Sequence, residues 1–346
     1  VAFTRAIIPE RYGRGILRAL VVSNMLPDAA HPERGRFVRD QVAALCGLDG
    51  LEVELYEFAP GARALAGAAR DLRRRFAPEA TLRRRNPPGF DVVHAHFGLT
   101  AWPALAVPAR VRALTVHGTD VRHPRTRLAT AAALPFVDLL AAVSASLAAE
   151  LPTRAARRRA QVLPCGVDVE RFHPIPRAYA RSELGLAADG PYVLFAADPA
   201  RPEKRHDRAL ALAGAAGAQL LTLGAVEPER VPLWVNAANA VLVPSEREGF
   251  GLAVLEALAC DVPVLATPVG IHGEALAHVA GTLCAPFELA RWHTALAPHL
   301  SEADPRIEGR ASASRFSAHE MAARVADAWR ASLSQAAVHP ASTRPA

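Results

Sequence analysis

Between Val243 and Ala259 the chain reads VPSEREGFGLAVLEALA, with Glu248 and Glu256 separated by seven residues. The apolar run ending at Val243 predicts a strand, and the spacing from Gly251 onward predicts a helix. The amides of Gly249, Phe250, Gly251 and Leu252 therefore fall at a helix N-terminus behind a strand. Unpaired first-turn N–H groups and the positive end of the helix dipole make such a turn an anion site. With a diphosphate on those amides, Glu256 in the second helical turn can accept hydrogen bonds from sugar hydroxyls on one side, and Glu248 from hydroxyls on the other. The plainer alternative leaves Glu248 as a helix-end charge and Glu256 as a solvent-facing helix residue.

A second loop argues for the anion. Of the 40 basic residues, all are arginine except Lys204. Arg and Lys interchange freely on a solvated surface, so a single surviving lysine marks a place where a compact ammonium is wanted. It lies in VLFAADPARPEKRHDRALALA, which puts Arg201, Lys204 and Arg205 in the loop after an apolar strand, at the carboxyl edge where an open parallel sheet binds ligands. Cations there can neutralise a leaving diphosphate without a metal. The chain has no Asp-x-Asp pair to hold a divalent cation on a diphosphate, so neither a metal nor a cofactor is expected.

The elements that must position these loops alternate strand and helix throughout. Strands are predicted near Leu17 to Ser23, Leu51 to Phe58, Asp91 to Ala95, Ala113 to His117, Asp138 to Val143 and Gln161 to Leu163, then near Tyr192 to Ala197, Gln219 to Leu223, Ala240 to Val243, Val262 to Ala266 and Gly281 to Cys284. Helical spacing runs over Phe37 to Leu45, Ser144 to Leu151, Asp207 to Ala216 and Gly251 to Ala259. That alternation predicts right-handed βαβ units built twice, an α/β fold of two Rossmann-like parallel-sheet domains. The break falls in PCGVDVERFHPIP, Pro164 to Pro176, where prolines and missing periodicity read as a hinge. Domains are expected at 1–164 and 165–313. A C-terminal helix at 314–334, apolar at Met321, Val325, Ala328 and Trp329, is expected to cross back to the first domain, and 335–346 to be a disordered tail. No GxGxxG turn follows the first strand, which weakens a nicotinamide dehydrogenase reading.

Taken together, these segments resemble a known family. EGFGLAVLE followed by ALACDVPVLATPVG, the interdomain VLPCGVDVERFHP and the early HPERGRFVRDQVAAL are similar to family 4 retaining glycosyltransferases (glycosyl transferase group 1) of the glycosyltransferase-B fold, over nearly the whole length. Within that family HAHFGLTAWPA, LTVHGTD, RPEKR and VPLWVNAANAVLVPS resemble the branch of teichuronic-acid-type cell-surface polysaccharide transferases. The resemblance implies an acceptor-side N-terminal domain facing a nucleotide-sugar C-terminal domain across a cleft. It implies catalytic roles for Glu248, near the reacting end of the donor sugar, and for His117 in VHGTD, facing that sugar. Glu256 would bind the ribose, Lys204 the diphosphate, and the amides of Gly249, Phe250 and Gly251 the phosphates or sugar hydroxyls. Many relatives carry an Arg five residues before that lysine; Pro199 stands there in this chain, which leaves Arg201 or Arg205 as the partner. Gly35 would give a tight turn approaching the donor, with an ordinary turn as the plain alternative. His94 and His96 also end a strand, where satisfied structural histidines are the plainer reading.

Composition bounds the function. With 346 residues and 51% apolar content, two cores can form, which excludes a disordered chain, a collagen and a small disulfide scaffold. No apolar stretch is long enough to span a bilayer and no export signal is evident, Val1 reading as a non-AUG start, so a cytoplasmic enzyme is expected, peripheral at the inner face of the membrane. Cys46, Cys165, Cys260 and Cys284 are too scattered for a zinc site and read as buried thiols. The net charge of +6 suggests a polyanion. One candidate surface is a helix over Ala62 to Phe76, apolar at Leu65, Ala69, Leu72 and Phe76. Its Arg70, Arg73, Arg74 and Arg75, with Arg83, Arg84 and Arg85 beyond it, could rest on anionic lipid and bring the enzyme to a lipid-linked acceptor. Aromatic interleaving for base stacking is absent there, so nucleic acid is not an expected partner. The alternatives are a nucleotide-sugar epimerase on the same double sheet and, less favoured, a basic polyanion-binding protein.

Overall fold

A computed structural model describes residues 15–29, 31–76, 89–224 and 226–338. Arg83, Arg84, Arg85, Val1 and the last eight residues lie outside the described residues. The described strands form two all-parallel sheets. The first contains β1 (Leu17–Ser23), β2 (Leu51–Glu57), β3 (Phe90–His96), β4 (Ala109–Val116), β5 (Leu139–Ala142) and β6 (Gln161–Val162), in the order β2-β1-β3-β4-β5-β6. The second contains β7 (Tyr192–Phe195), β8 (Gln219–Thr222), β9 (Ala240–Val243), β10 (Val264–Ala266) and β11 (Leu283–Cys284), in the order β11-β10-β9-β7-β8. Helices covering both faces of a parallel sheet bury its inner strands on each side, which writes those strands as continuous apolar runs. Every residue of β5, β7, β9 and β10 is buried.

Each sheet has one place where the strand order reverses. In the first, the chain winds from β1 out to β2 and then returns to β3 on the other side of β1; in the second it winds from β7 to β8 and returns to β9. Loops leaving the carboxyl ends at such a switch point diverge and leave a crevice. At the first reversal those loops begin after Ser23 and His96, which pair in register. At the second they begin after Phe195 and Val243, and they carry Lys204 and Glu248.

The chain divides into two compact units. One comprises Val1–Asp28, Arg34–Pro164 and His319–Ala346, the other Ala29–Glu33 and Cys165–Ala318. The boundaries differ from those predicted in three respects. Residues 29–33 cluster with the second unit. Residues 314–318 belong to the second unit too, because the Val167 amide donates to the Phe316 carbonyl and the Ala318 amide to the Val167 carbonyl, each at 2.8 Å. The last helix runs Ala318–Val338, so residues 335–338 are helical and not a tail.

That last helix is part of the first unit's core. Met321, Ala322, Val325, Ala326, Ala328 and Trp329 are buried. The Trp329 indole stands edge-on to His94 with centroids 5.7 Å apart and donates from Nε1 to His94 Nδ1 at 3.2 Å. The second unit's core gathers Phe195, Leu212, Leu242, Leu265, Leu296 and Trp292.

The proline-containing segment read as a hinge is fastened along much of its length to the second unit. Arg310 donates to the carbonyls of Phe172 and Val169, Arg306 to that of Ile175, and Asn236 to that of His173. Prolines at 164, 174 and 176 bring no N–H of their own, and a segment without ladder partners needs donors for its carbonyls. Guanidinium forks supply them. The thiols also differ from expectation: Cys260 is buried, Cys165 and Cys284 are half-buried, and Cys46 is exposed at the end of the Arg36–Cys46 helix. Among the described residues no helix is long and apolar enough to cross a membrane.

Candidate active site

In the second unit, the loops after β7 and β9 are tied together by the Glu246 amide donating to the Glu203 carbonyl at 2.9 Å. This brings Lys204 Nζ to 2.7 Å from both carboxylate oxygens of Glu248, to which the Ser245 hydroxyl also donates at 2.8 Å. The pair is deep, with 14% of the lysine and 8% of the glutamate side chain exposed. Burial alone would raise the Glu248 carboxyl; the ammonium beside it overrides that and holds it below the usual range.

Behind Glu248 the chain makes the predicted turn into a helix, observed at Leu252–Ala259 with Gly251 before it at φ 110°. A Cβ on Gly251 would meet His272 Nε2 at 2.5 Å, so only glycine fits there. Phe250 turns its ring into the interior, edge-on to Phe316, while its carbonyl accepts from the Ile271 amide. The turn's backbone is thus braced from behind, at a helix N-terminus of the kind that attracts anions. Glu256 lies in the second helical turn and is half-buried, not the fully solvated residue of the plainer reading. Arg201 and Arg205 are engaged elsewhere. Arg201 pairs with Glu203 at 2.8 Å, and Arg205, in the left-handed conformation at φ 59°, pairs with Asp207 at 2.6 Å and with Glu246.

In the first unit the carboxyl ends of β3 and β4 present three histidines. The rings of His94 and His96 lie 4.7 Å apart, those of His96 and His117 5.1 Å apart, and His96 Nδ1 is 3.0 Å from His117 Nε2. Phe37 and Phe97 pack on His117 at 4.9 and 4.6 Å. Desolvation lowers the imidazoles of His94 and His117 to about 3 and that of His96 well below its ordinary value, so all three are neutral. The backbone under His117 is clamped by Asp120, whose buried carboxylate accepts from the amides of Gly98, His117 and Gly118. Phe97 adopts φ 75°, a strained value for a bulky residue, held by the Thr115 carbonyl and by Thr100 bonds to its own carbonyl. Gly35 sits at φ 72° before the Arg36–Cys46 helix, where a Cβ would meet the Met25 carbonyl at 2.3 Å. Its close approach is to backbone of its own unit.

The sequence points to Lys204, Glu248, the turn at 249–252, Glu256, His117 and Gly35, but not to Ser245, Glu203, Glu246, Phe37, Phe97, Asp120 or His272, which support them. His272 donates from Nδ1 to the Thr267 carbonyl at 2.8 Å, and its buried Nε2 has no partner. Its flanking glycines, Gly270 and Gly273, were the available signal of a tight turn against the site.

Residues 29–171 match Glycosyltransferase Family 4, and residues 186–308 match Glycosyl transferases group 1. A D-inositol 3-phosphate glycosyltransferase of Thermobispora bispora is 30% identical over 308 residues, covering 71% of this chain and 72% of the relative. The chain is a family 4 glycosyltransferase. A second relative of the same name, from Xylanimonas cellulosilytica, is 30% identical over 69% of this chain and 72% of its own length. Two solved structures show the glycosyltransferase-B fold of this enzyme. Sucrose-phosphate synthase from Thermosynechococcus elongatus has a TM-score of 0.68 at 19% identity, covering 92% of this chain and 100% of that one. Anabaena HepE in complex with UDP and glucose has a TM-score of 0.64 at 15% identity, covering 91% and 100%.

Proposed function

We propose that this glycosyltransferase is a retaining, metal-independent enzyme that moves a sugar from a nucleoside diphosphate donor to a cell-surface glycan or glycolipid precursor. The observation that carries the reading is the buried Lys204–Glu248 pair beside the turn into the Leu252–Ala259 helix, at the carboxyl edge of β7 and β9. Diphosphate on the amides of Gly249 to Leu252 draws the Lys204 ammonium to itself, and the released Glu248 carboxylate accepts a hydroxyl of the donor sugar. Glu256 takes the ribose, and Arg201 or Arg205 adds charge at the rim. With the leaving phosphate neutralised, the acceptor attacks from the face that it leaves, and a phosphate oxygen takes the acceptor's proton. His117, neutral and held between two phenylalanine rings, is the first unit's residue for a hydrogen bond to a sugar hydroxyl. No side chain serves as a nucleophile.

The experiment is a panel of UDP-, GDP- and ADP-sugars with and without EDTA. Its acceptor arms are a lipid-linked glycan and, because the relatives above are named for it, D-inositol 3-phosphate. Transfer with unchanged anomeric configuration and insensitivity to EDTA is expected. Loss of activity on chelation, inversion, or binding of none of the donors would overturn the reading.

A further inference from the structure

One buried ring nitrogen in the histidine stack has no partner among the described residues, and it decides where the other protons are. His96 is 1% exposed, its Nδ1 bonds His117 Nε2, and its own Nε2 is buried with no hydrogen-bond partner. A neutral imidazole carries one proton, on one nitrogen or the other. With the proton on His96 Nε2, the bond to His117 survives in reverse, but a buried N–H is orphaned. With the proton on Nδ1, the same bond forms from His96 to His117 and the orphan is only a lone pair. Orphaned buried donors are the rarer and costlier defect, so the second arrangement wins. His117 Nε2 then accepts, and the His117 proton must reside on Nδ1, which has no hydrogen-bond partner among the described residues.

His94 cannot scramble this assignment. The Trp329 indole only donates, so His94 Nδ1 is a lone pair and its Nε2–H donates to Thr115 Oγ1 at 2.7 Å. Burial keeps all three rings from taking a second proton near neutrality. The flanking Phe37 and Phe97 rings hold His117 in its seat.

We propose that His96 is a positioning residue that locks His117 as the Nδ1–H tautomer. The open edge of His117 then offers a ligand oxygen a hydrogen-bond donor and has no lone pair with which to act as a base. The tautomer follows from the first unit's geometry alone; its effect on turnover rests on the transferase reading above.

The test is a long-range proton–nitrogen NMR spectrum of 15N-histidine-labelled enzyme, assigned with the His96 and His117 variants. His117 and His96 should each show an N–H-type Nδ1 and a lone-pair-type Nε2. An Nε2–H form of either ring, or an averaged mixture, overturns the proposal. His96→Phe keeps a stacked ring but removes the donor. It should let His117 average between tautomers and lower kcat roughly tenfold, with donor KM within about twofold. His96→Asn offers an amide N–H near the lost Nδ1 and should keep the Nδ1–H form and most of kcat. Equal kcat losses in both variants with the tautomer unchanged would mean that His96 only packs, and the proposal falls. Should His96→Phe fail to fold, the wild-type and His96→Asn spectra decide. The expected spectra in an enzyme that transfers no sugar would sink the transferase reading and leave the tautomer assignment standing.

Discussion

Lys204 and Glu248 are each tolerable in their buried setting because the other is present, so the pair is conditional in two ways. Lys204→Ala leaves a buried carboxylate uncompensated and should cost about 3 kcal/mol of stability in urea unfolding, most of it recovered by Glu248→Gln in the same chain. Equal stability of the single and double variants would contradict this account. Lys204→Arg tests the lone lysine: a flat fork in place of a compact ammonium should weaken nucleotide binding, and full activity would show that any cation serves. The pH response has opposite chemistry but the same sign in the two units. Glu248 lies below its ordinary value when folded, so its contribution is present at neutral pH and lost as pH falls below about 4.5 toward the lowered value. His94 and His96 are bases held neutral; below about 6.5 the unfolded chain takes protons that the folded chain refuses. Stability should therefore drop between pH 6.5 and 5, with a slope approaching roughly 1.4 kcal/mol per pH unit for each of these two fully buried rings. Thermal melts across that range check it, and a flat Tm would mean that the stack admits protons when folded.

Among elements, the turn into the Leu252–Ala259 helix depends on a residue without a Cβ. Gly251→Ala adds a methyl group against His272 at a backbone angle alanine disfavours. It should cost about 1–3 kcal/mol and reduce donor affinity by more than stability alone explains, as calorimetry with a nucleoside diphosphate would show. The Ala62–Phe76 helix is the element on which the expected contact with anionic lipid rests. Ala68 and Leu72 are buried, Arg70 and Arg73 are exposed, but Arg74 and Arg75 both lean on Asp71, which also accepts from Tyr56. Internal pairing reduces the charge available to lipid, so vesicle binding should be weak, should rise with anionic lipid and should fade with salt; equal recovery on neutral vesicles would favour a soluble acceptor. The inner strands, such as Leu139–Ala142, Tyr192–Phe195 and Ala240–Val243, were legible from sequence because a two-sided parallel sheet writes them as unbroken apolar runs between turns. The Glu248 to Glu256 segment was legible because one strand, one turn and one helix hold it in consecutive residues. What sequence could not display was contact at a distance. The Lys204–Glu248 bond spans 44 positions and that of His94 with Trp329 spans 235, and no local period encodes either. The hinge reading of 164–176 put the break where the two units divide, between Pro164 and Cys165, but it could not show that Arg306 and Arg310 fasten the residues after it to the second unit.

At the scale of the molecule, those two arginines make the 165–177 segment part of the second unit. Arg310→Met strips donors from Val169, Phe172 and Ala259 carbonyls at once and should cost about 2–4 kcal/mol. Hydrogen exchange should then rise first in residues 167–173, and protection equal to wild type would show that the guanidinium is not what holds them. The first unit is discontinuous, and this has a consequence for how it comes into being. The ribosome releases its sheet about 150 residues before the helix that covers His94, a wait of roughly 8–30 s at ordinary elongation rates. During that interval the apolar floor awaiting Met321, Val325 and Trp329 stands open on the nascent chain. A chain stopped at Pro164 should therefore emerge as a sticky, chaperone-bound species, and supplying the Ala318–Val338 peptide during translation should release it.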